Sequence, residues 1–141
     1  MLVRDIMSDR VVSIGDDATL RDAVMAMLRA EIGSVVVERD GTPTGICTET
    51  DALATAATED EPLSAVPLSK ATSDDLVTGS PDMPVRKAIR RMNRHDIKKL
   101  PIVADFDVVG ILTLTDVVRH QSDLLHEVHE IESGQSQWRD D

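Results

Sequence analysis

Shifted by 65 residues, the chain falls on itself without a gap, Val11 through Asp51 onto Leu76 through Asp116. Identities run the length of the match: Val12/Val77, Asp17/Asp82, Arg21/Arg86, Ala23/Ala88, Met27/Met92, Ile32/Ile97, Asp40/Asp105 and Gly45/Gly110. They are densest at the end, where both copies read Gly-Ile-x-Thr-x-Thr-Asp. A self-match of this kind means one supersecondary unit used twice. With 141 residues the length allows one compact domain or two small repeats sharing a core, and the self-match favours the repeats.

Each unit has the same expected order. Val11–Ile14 forms a short strand, and Thr19 caps a helix with Asp22 in the capping-box position. Leu20, Ala23, Val24, Met27 and Leu28 follow at helical spacing and predict one buried face. Val35–Val37 is a strand, Asp40-Gly41 a turn, Gly45–Thr48 a second strand, and Thr50-Asp51 opens another helix. In the second unit Val85, Ala88, Ile89 and Met92 supply the helical face, and Leu100–Val103 and Val108–Leu112 the strands. The unit is β-α-β-β-α, giving an α/β (α+β) fold. The expected boundaries are 1–58 for the first repeat, 59–67 for an acidic, proline-bearing solvated linker and 68–122 for the second repeat. A C-terminal helix and polar tail fill 123–141.

Two such units, each closing on that motif after a lead-in like Val3-Arg4-Asp5-Ile6-Met7-Ser8, resemble a tandem CBS domain pair, or Bateman module. The resemblance covers roughly residues 1–120. It implies two repeats packed about a pseudo-twofold axis, with two clefts that take AMP, ADP, ATP, S-adenosylmethionine or related adenosine ligands. It also implies a regulatory module acting on a separate partner, without a cofactor or catalytic role of its own.

The chemistry of the motif fits a ribose. In Gly110-Ile111-Leu112-Thr113-Leu114-Thr115-Asp116 the glycine admits a close approach, and Thr113 carries a hydroxyl at the strand end. An ionised Asp116 is an acceptor only and can receive both hydroxyls of one ribose, while the neighbouring helix start offers backbone N–H groups. Thr48 and Asp51 hold the same places in the first unit. The competing reading is structural: Thr and Asp three apart at a helix start also form a cap. Lys98 and Lys99, just before the strand Leu100–Val103, match the place where nucleotide-sensing members of this family contact phosphates. The first unit has Gly33 and Ser34 there, so phosphorylated ligands are expected in the cleft of Asp116. The resemblance places the purine near the first strands, around Val12 and Val77.

Composition excludes other classes. The net charge of −11 repels nucleic-acid backbones and anionic membranes, and Phe106 and Trp138 are the only aromatics, too few for base stacking. Eighteen Asp against eight Glu, and eleven Arg against four Lys, resemble proteins of salt-loving archaea, in which molar salt screens the repulsion. The single cysteine, Cys47, forbids an intramolecular disulfide. No signal-peptide or membrane-spanning pattern is present, so a cytoplasmic location is expected. His126 and His129 read as a solvated helix face and not as a metal site, for want of converging ligands. The stripe Leu124, Val128 and Ile131 predicts a homodimer with the last helix at its interface. A protein-interaction scaffold with empty clefts is the alternative function.

Overall fold

The computed structural model describes residues 1–73 and 75–121. The stripe Leu124, Val128 and Ile131 and the pair His126 and His129 lie outside the described residues.

The first repeat runs β1 (Ser13–Gly15), α1 (Leu20–Ala30), β2 (Ser34–Arg39), β3 (Thr42–Thr48) and α2 (Glu49–Glu59). Thr19 starts α1 as its sequence predicts. Its hydroxyl accepts from the Asp22 amide at 3.2 Å, and the Asp22 carboxylate accepts from the Thr19 amide at 3.0 Å. The Thr19 backbone N–H, and after it the Thr19 hydroxyl, hold the Asp22 carboxyl below its ordinary value. Glu31, left-handed at φ 54°, ends the helix. β2 lies between a parallel β1 and an antiparallel β3, and its Val35, Val36 and Val37 are buried. Asp40 and Gly41, both at positive φ, make the hairpin turn.

The second repeat supplies α3 (Val85–His95), β4 (Lys99–Ala104) and β5 (Asp107–Thr113), and residues 114–121 are helical. Its first strand, expected around Val77, shrinks to a single parallel bridge between Gly79 and Ile102. Two prolines are the cause. In the first repeat the Val36 amide donates to the Val12 carbonyl and the Asp16 amide to the Glu38 carbonyl, each at 2.9 Å. The residues at those two donor positions in the second repeat are Pro101 and Pro81, which have no N–H to give. What survives is Gly79 donating to Pro101 at 2.9 Å and Val103 donating to Gly79 at 2.8 Å.

The repeats exchange their lead-in segments. Short 3-10 helices at Val3–Asp5 and Leu68–Ala71 stand 65 residues apart, as the internal match requires. Val3 is buried with Met83, Ala88, Met92, Leu100 and Leu112 of the second repeat, whereas Val66, Leu68 and Ala71 are buried with Leu20, Ala23, Val35 and Cys47 of the first. Ser8 pairs with Ile111 through both backbone bonds, at 2.9 and 2.8 Å, and the Ser73 amide reaches the Ile46 carbonyl at 3.3 Å. The acidic stretch 59–67 is therefore not solvated throughout: Val66 is buried and its carbonyl oxygen accepts from the Leu20 amide. A third apolar cluster, Val36, Ile46 and Ile111 flanked by Val11, Leu76 and Val108, joins the two sheets.

One expected core residue is outside. Leu28 is 67% exposed and Leu53 73% exposed. With Val24, Met27, Ile32 and Ala52 they line an apolar groove of about 600 Å³ on the outer side of α1 and α2. Helical spacing places Leu28 beside the buried face, but the inner side of the helix is already filled by Leu20, Ala23 and Met27.

Candidate functional site

The two closing motifs fold alike. Thr48 ends β3 in extended backbone and is the N-cap of α2, which begins at Glu49, one residue earlier than the sequence pattern suggests. The Thr48 hydroxyl accepts from the Asp51 amide at 3.1 Å and the Asp51 carboxylate from the Thr48 amide at 2.9 Å. Thr113 and Asp116 repeat this at 3.0 Å for both bonds. The structural reading of the motif is thus correct as far as it goes, and such a cap contributes about 1 kcal/mol.

The cap does not exhaust these side chains. Each carboxylate uses Oδ2, and among the described residues neither Oδ1 has a partner. Each threonine oxygen accepts a bond, which leaves its O–H as a donor. Every motif therefore presents one half-buried acceptor oxygen and one donor hydroxyl, held rigid by the cap and beside a helix start.

The motif glycines serve the exchanged segments. A Cβ on Gly45 would stand 2.5 Å from the Ser73 carbonyl oxygen and 2.5 Å from Thr72 Cγ2; one on Gly110 would stand 2.6 Å from Met7 Sδ and 2.9 Å from the Ser8 carbonyl oxygen. The close approach expected at these glycines is made by the backbone of the lead-in segments.

Asp116 lines a recess of about 230 Å³ together with Asp5, Ile6, Met7, Arg119 and His120. The twin recess, about 360 Å³, is lined by Ala54, Thr55, Thr58, Glu59 and Lys70. Stepping by 65 residues pairs Asp5 with Lys70, Arg119 with Ala54 and His120 with Thr55. The charges are exchanged between the twins. In the first, Lys70 is ion-paired with Glu59, which raises its pKa. In the second, the cation is Arg119, on the same helix as Asp116, and none of the three ion pairs among the described residues includes it.

Neither Lys98 nor Lys99 lines the recess of Asp116. Lys99 Nζ donates to the Gly33 carbonyl at 2.6 Å, so it crosses to the first repeat, where the Glu49 amide donates to the same oxygen at 3.0 Å. Lys98 is exposed, and its carbonyl accepts from the Leu114 amide at 3.1 Å. Val12 and Val77 are half-buried against their own cores, and Val12's carbonyl is held by Val36. Sequence reasoning missed Arg119, Asp5 and His120. Only the internal alignment carried a signal, since Arg119 faces Ala54 across the repeat. Cys47 is buried, which pushes its thiol up to about 11 and keeps it unreactive near neutrality. Among the described residues no three His, Cys, Asp or Glu side chains converge on a metal site, and no helix is long and apolar enough to cross a membrane.

Two α/β repeats that exchange lead-in segments and close on matched Thr-Asp caps define a paired-repeat module. The CBS domain family matches residues 3–57 and 68–123, and the chain belongs to that family as a tandem pair. It is 32% identical over 120 residues to the CBS domain-containing protein YhcV of Bacillus subtilis, covering 84% of each chain. The CBS domain pair of protein MJ0100, solved in complex with 5-methylthioadenosine and S-adenosyl-L-methionine, superposes with a TM-score of 0.78 at 23% identity over 87% of this chain and 97% of that one. A putative acetoin utilization protein of Vibrio cholerae gives 0.73 at 26% identity over 96% and 98%. The chain also matches homoserine O-acetyltransferase of Methanococcoides burtonii, 30% identical over 119 residues, but 83% of this chain spans only 23% of that enzyme.

Proposed function

We propose that this CBS pair is a regulatory module that binds adenosine-containing ligands, an adenine nucleotide or S-adenosylmethionine, and passes the bound state to a separate protein. The observation that carries the reading is the half-used carboxylate of Asp51 and Asp116. A cap needs one oxygen, and the second is left as an acceptor for a ribose hydroxyl, with the Thr48 or Thr113 O–H beside it as donor. Ligands bound in the CBS pair of MJ0100 support the adenosyl class. Arg119 lines the recess of Asp116 and joins Lys98 and Lys99 as a residue for a phosphate. Val12 and Val77, just before β1 and before the Gly79 bridge, remain the positions for the purine.

The exposed groove of Leu28 and Leu53 supports homodimer formation through α1 and α2. A thermal-shift panel in molar salt tests the ligand reading. A ligand at a hundredfold excess over Kd stabilises by about 2.7 kcal/mol, so AMP, ATP or S-adenosylmethionine should raise Tm where free adenine, which lacks the ribose, does not. A flat response to the whole panel would instead favour the interaction scaffold, with the Thr-Asp pairs acting as caps alone.

A further inference from the structure

Helix α3 carries Arg86, Lys87, Arg90, Arg91 and Arg94 and no acidic residue, in a chain of net charge −11. These five, with Pro84, line a surface groove of about 470 Å³. At 1.5 Å per residue the stripe from Arg86 to Arg94 is about 12 Å long. Their positions i, i+1, i+4, i+5 and i+8 put them on one face, opposite the buried Val85, Ala88 and Met92. Arg91 is half-buried and anchored on the Thr78 carbonyl at 2.6 Å; the other four are exposed.

The fold does not require this face. The matching positions of α1 are Arg21, Asp22, Met25, Ala26 and Arg29, which hold two cations and one acid on the same scaffold. None of the three ion pairs among the described residues involves α3. Like charges crowded at helical neighbours weaken a helix, and no ion pair among the described residues offsets them.

We propose that the α3 face is the docking surface for a short acidic segment of a partner protein, rich in Asp and Glu. Four of the five cations are arginines, whose planar forks match carboxylates two bonds at a time. The exposed carboxylate of Asp96 stands just past the C-terminal end of the helix, so the stripe admits a short run of anions and repels a longer one at that end, while Asp82 near the other end is ion-paired with Arg4. A nucleic-acid strand would extend past the stripe onto an acidic surface, with no aromatic side chain on α3 to stack on. The inference supplies a partner class for the regulatory reading, but the charge of the groove stands whether or not the clefts bind adenosine.

The probe is a labelled octaglutamate peptide, with fluorescence anisotropy on the full chain at the lowest salt at which circular dichroism shows it folded. Arg86→Glu/Arg90→Glu/Arg94→Glu should weaken binding by about tenfold or more, and the milder Arg→Gln triple should weaken it less but in the same direction. Arg21→Glu/Arg29→Glu on α1 should leave it within about twofold. Equal losses on α1 and α3 would mean diffuse attraction and overturn the proposal. Tighter binding of an eight-nucleotide thymidine strand would do the same in favour of nucleic acid. Loss of self-association in the α3 triple by sedimentation would name a second copy as the occupant instead. Adenosine titration of the same triple is the separate control: the clefts should bind unchanged.

Discussion

The two repeats differ most where their sequences look most interchangeable. Both carry a strand position before the first helix, yet β1 pairs along Ser13–Gly15 while its twin keeps only Gly79. In the second repeat the closing-motif Asp116 lines a recess with Arg119, whereas the corresponding recess of the first repeat holds an ion-paired lysine and is not lined by Asp51. Duplication preserved what builds the unit: the cap, the buried helical face and the glycine under the lead-in segment. It left free the positions that decide how a cleft is charged. The lesson is that repeat identity marks architecture, and repeat difference marks where the two sites diverge.

The exchange of lead-in segments gives the largest expected effect. Leu68 is fully buried in the first repeat's core although it precedes the second repeat in sequence. Leu68→Ala should cost about 2–5 kcal/mol, and hydrogen exchange should show the loss in α1 and β2, not in α3 and β4. Val3→Ala should be milder and open the second repeat. Protection lost in the repeat that follows each segment in sequence would break the exchange.

The motif glycines come next. Gly45→Ala drives a Cβ onto backbone and should cost about 1–3 kcal/mol, whereas at Gly110 the nearest atom is the flexible end of Met7, with the Ser8 carbonyl at 2.9 Å. Chemical denaturation should therefore rank Gly45→Ala as the more damaging. The reverse order would mean that the second repeat is the more tightly closed.

Pro101→Val sharpens the strand comparison with the smallest effect. It restores the donor that Val36 provides in the first repeat, and one net backbone bond is worth about 0.5–1.5 kcal/mol, partly offset by the freedom a valine regains in the unfolded chain. The new amide at 101 should be protected from exchange. An exchange rate like that of an exposed loop would show that proline is not what stops the strand.

Much of this architecture was legible beforehand. The 65-residue step, the Thr19–Asp22 box and the Asp40-Gly41 turn follow from local chemistry that acts the same in any context. The shortened strand was legible too, in Pro81 and Pro101, for a reader who aligned donors and not only side chains. Leu28 was not, because periodicity gives a face but not how much of that face a neighbour covers. Lys99 was not, because a long side chain chooses its acceptor in three dimensions, and the Gly33 carbonyl is 66 residues away in sequence. The crossing of Val3 and Leu68 lay beyond a pattern that records burial without the identity of the partner.

The most direct test of the central claim separates the cap from the ligand at the aspartates. Asn keeps one carbonyl oxygen for the cap but replaces the other oxygen, a charged acceptor, with an NH2 donor, so the side chain can no longer accept from a ribose hydroxyl there. Calorimetry with S-adenosylmethionine and AMP on Asp51→Asn and Asp116→Asn should show each variant losing its own cleft. Tm should stay near that of the unchanged protein in both, and AMP should suffer more from Asp116→Asn, where Arg119 lies in the same recess. Unchanged binding in both variants would contradict the account and leave Thr48-Asp51 and Thr113-Asp116 as helix caps alone.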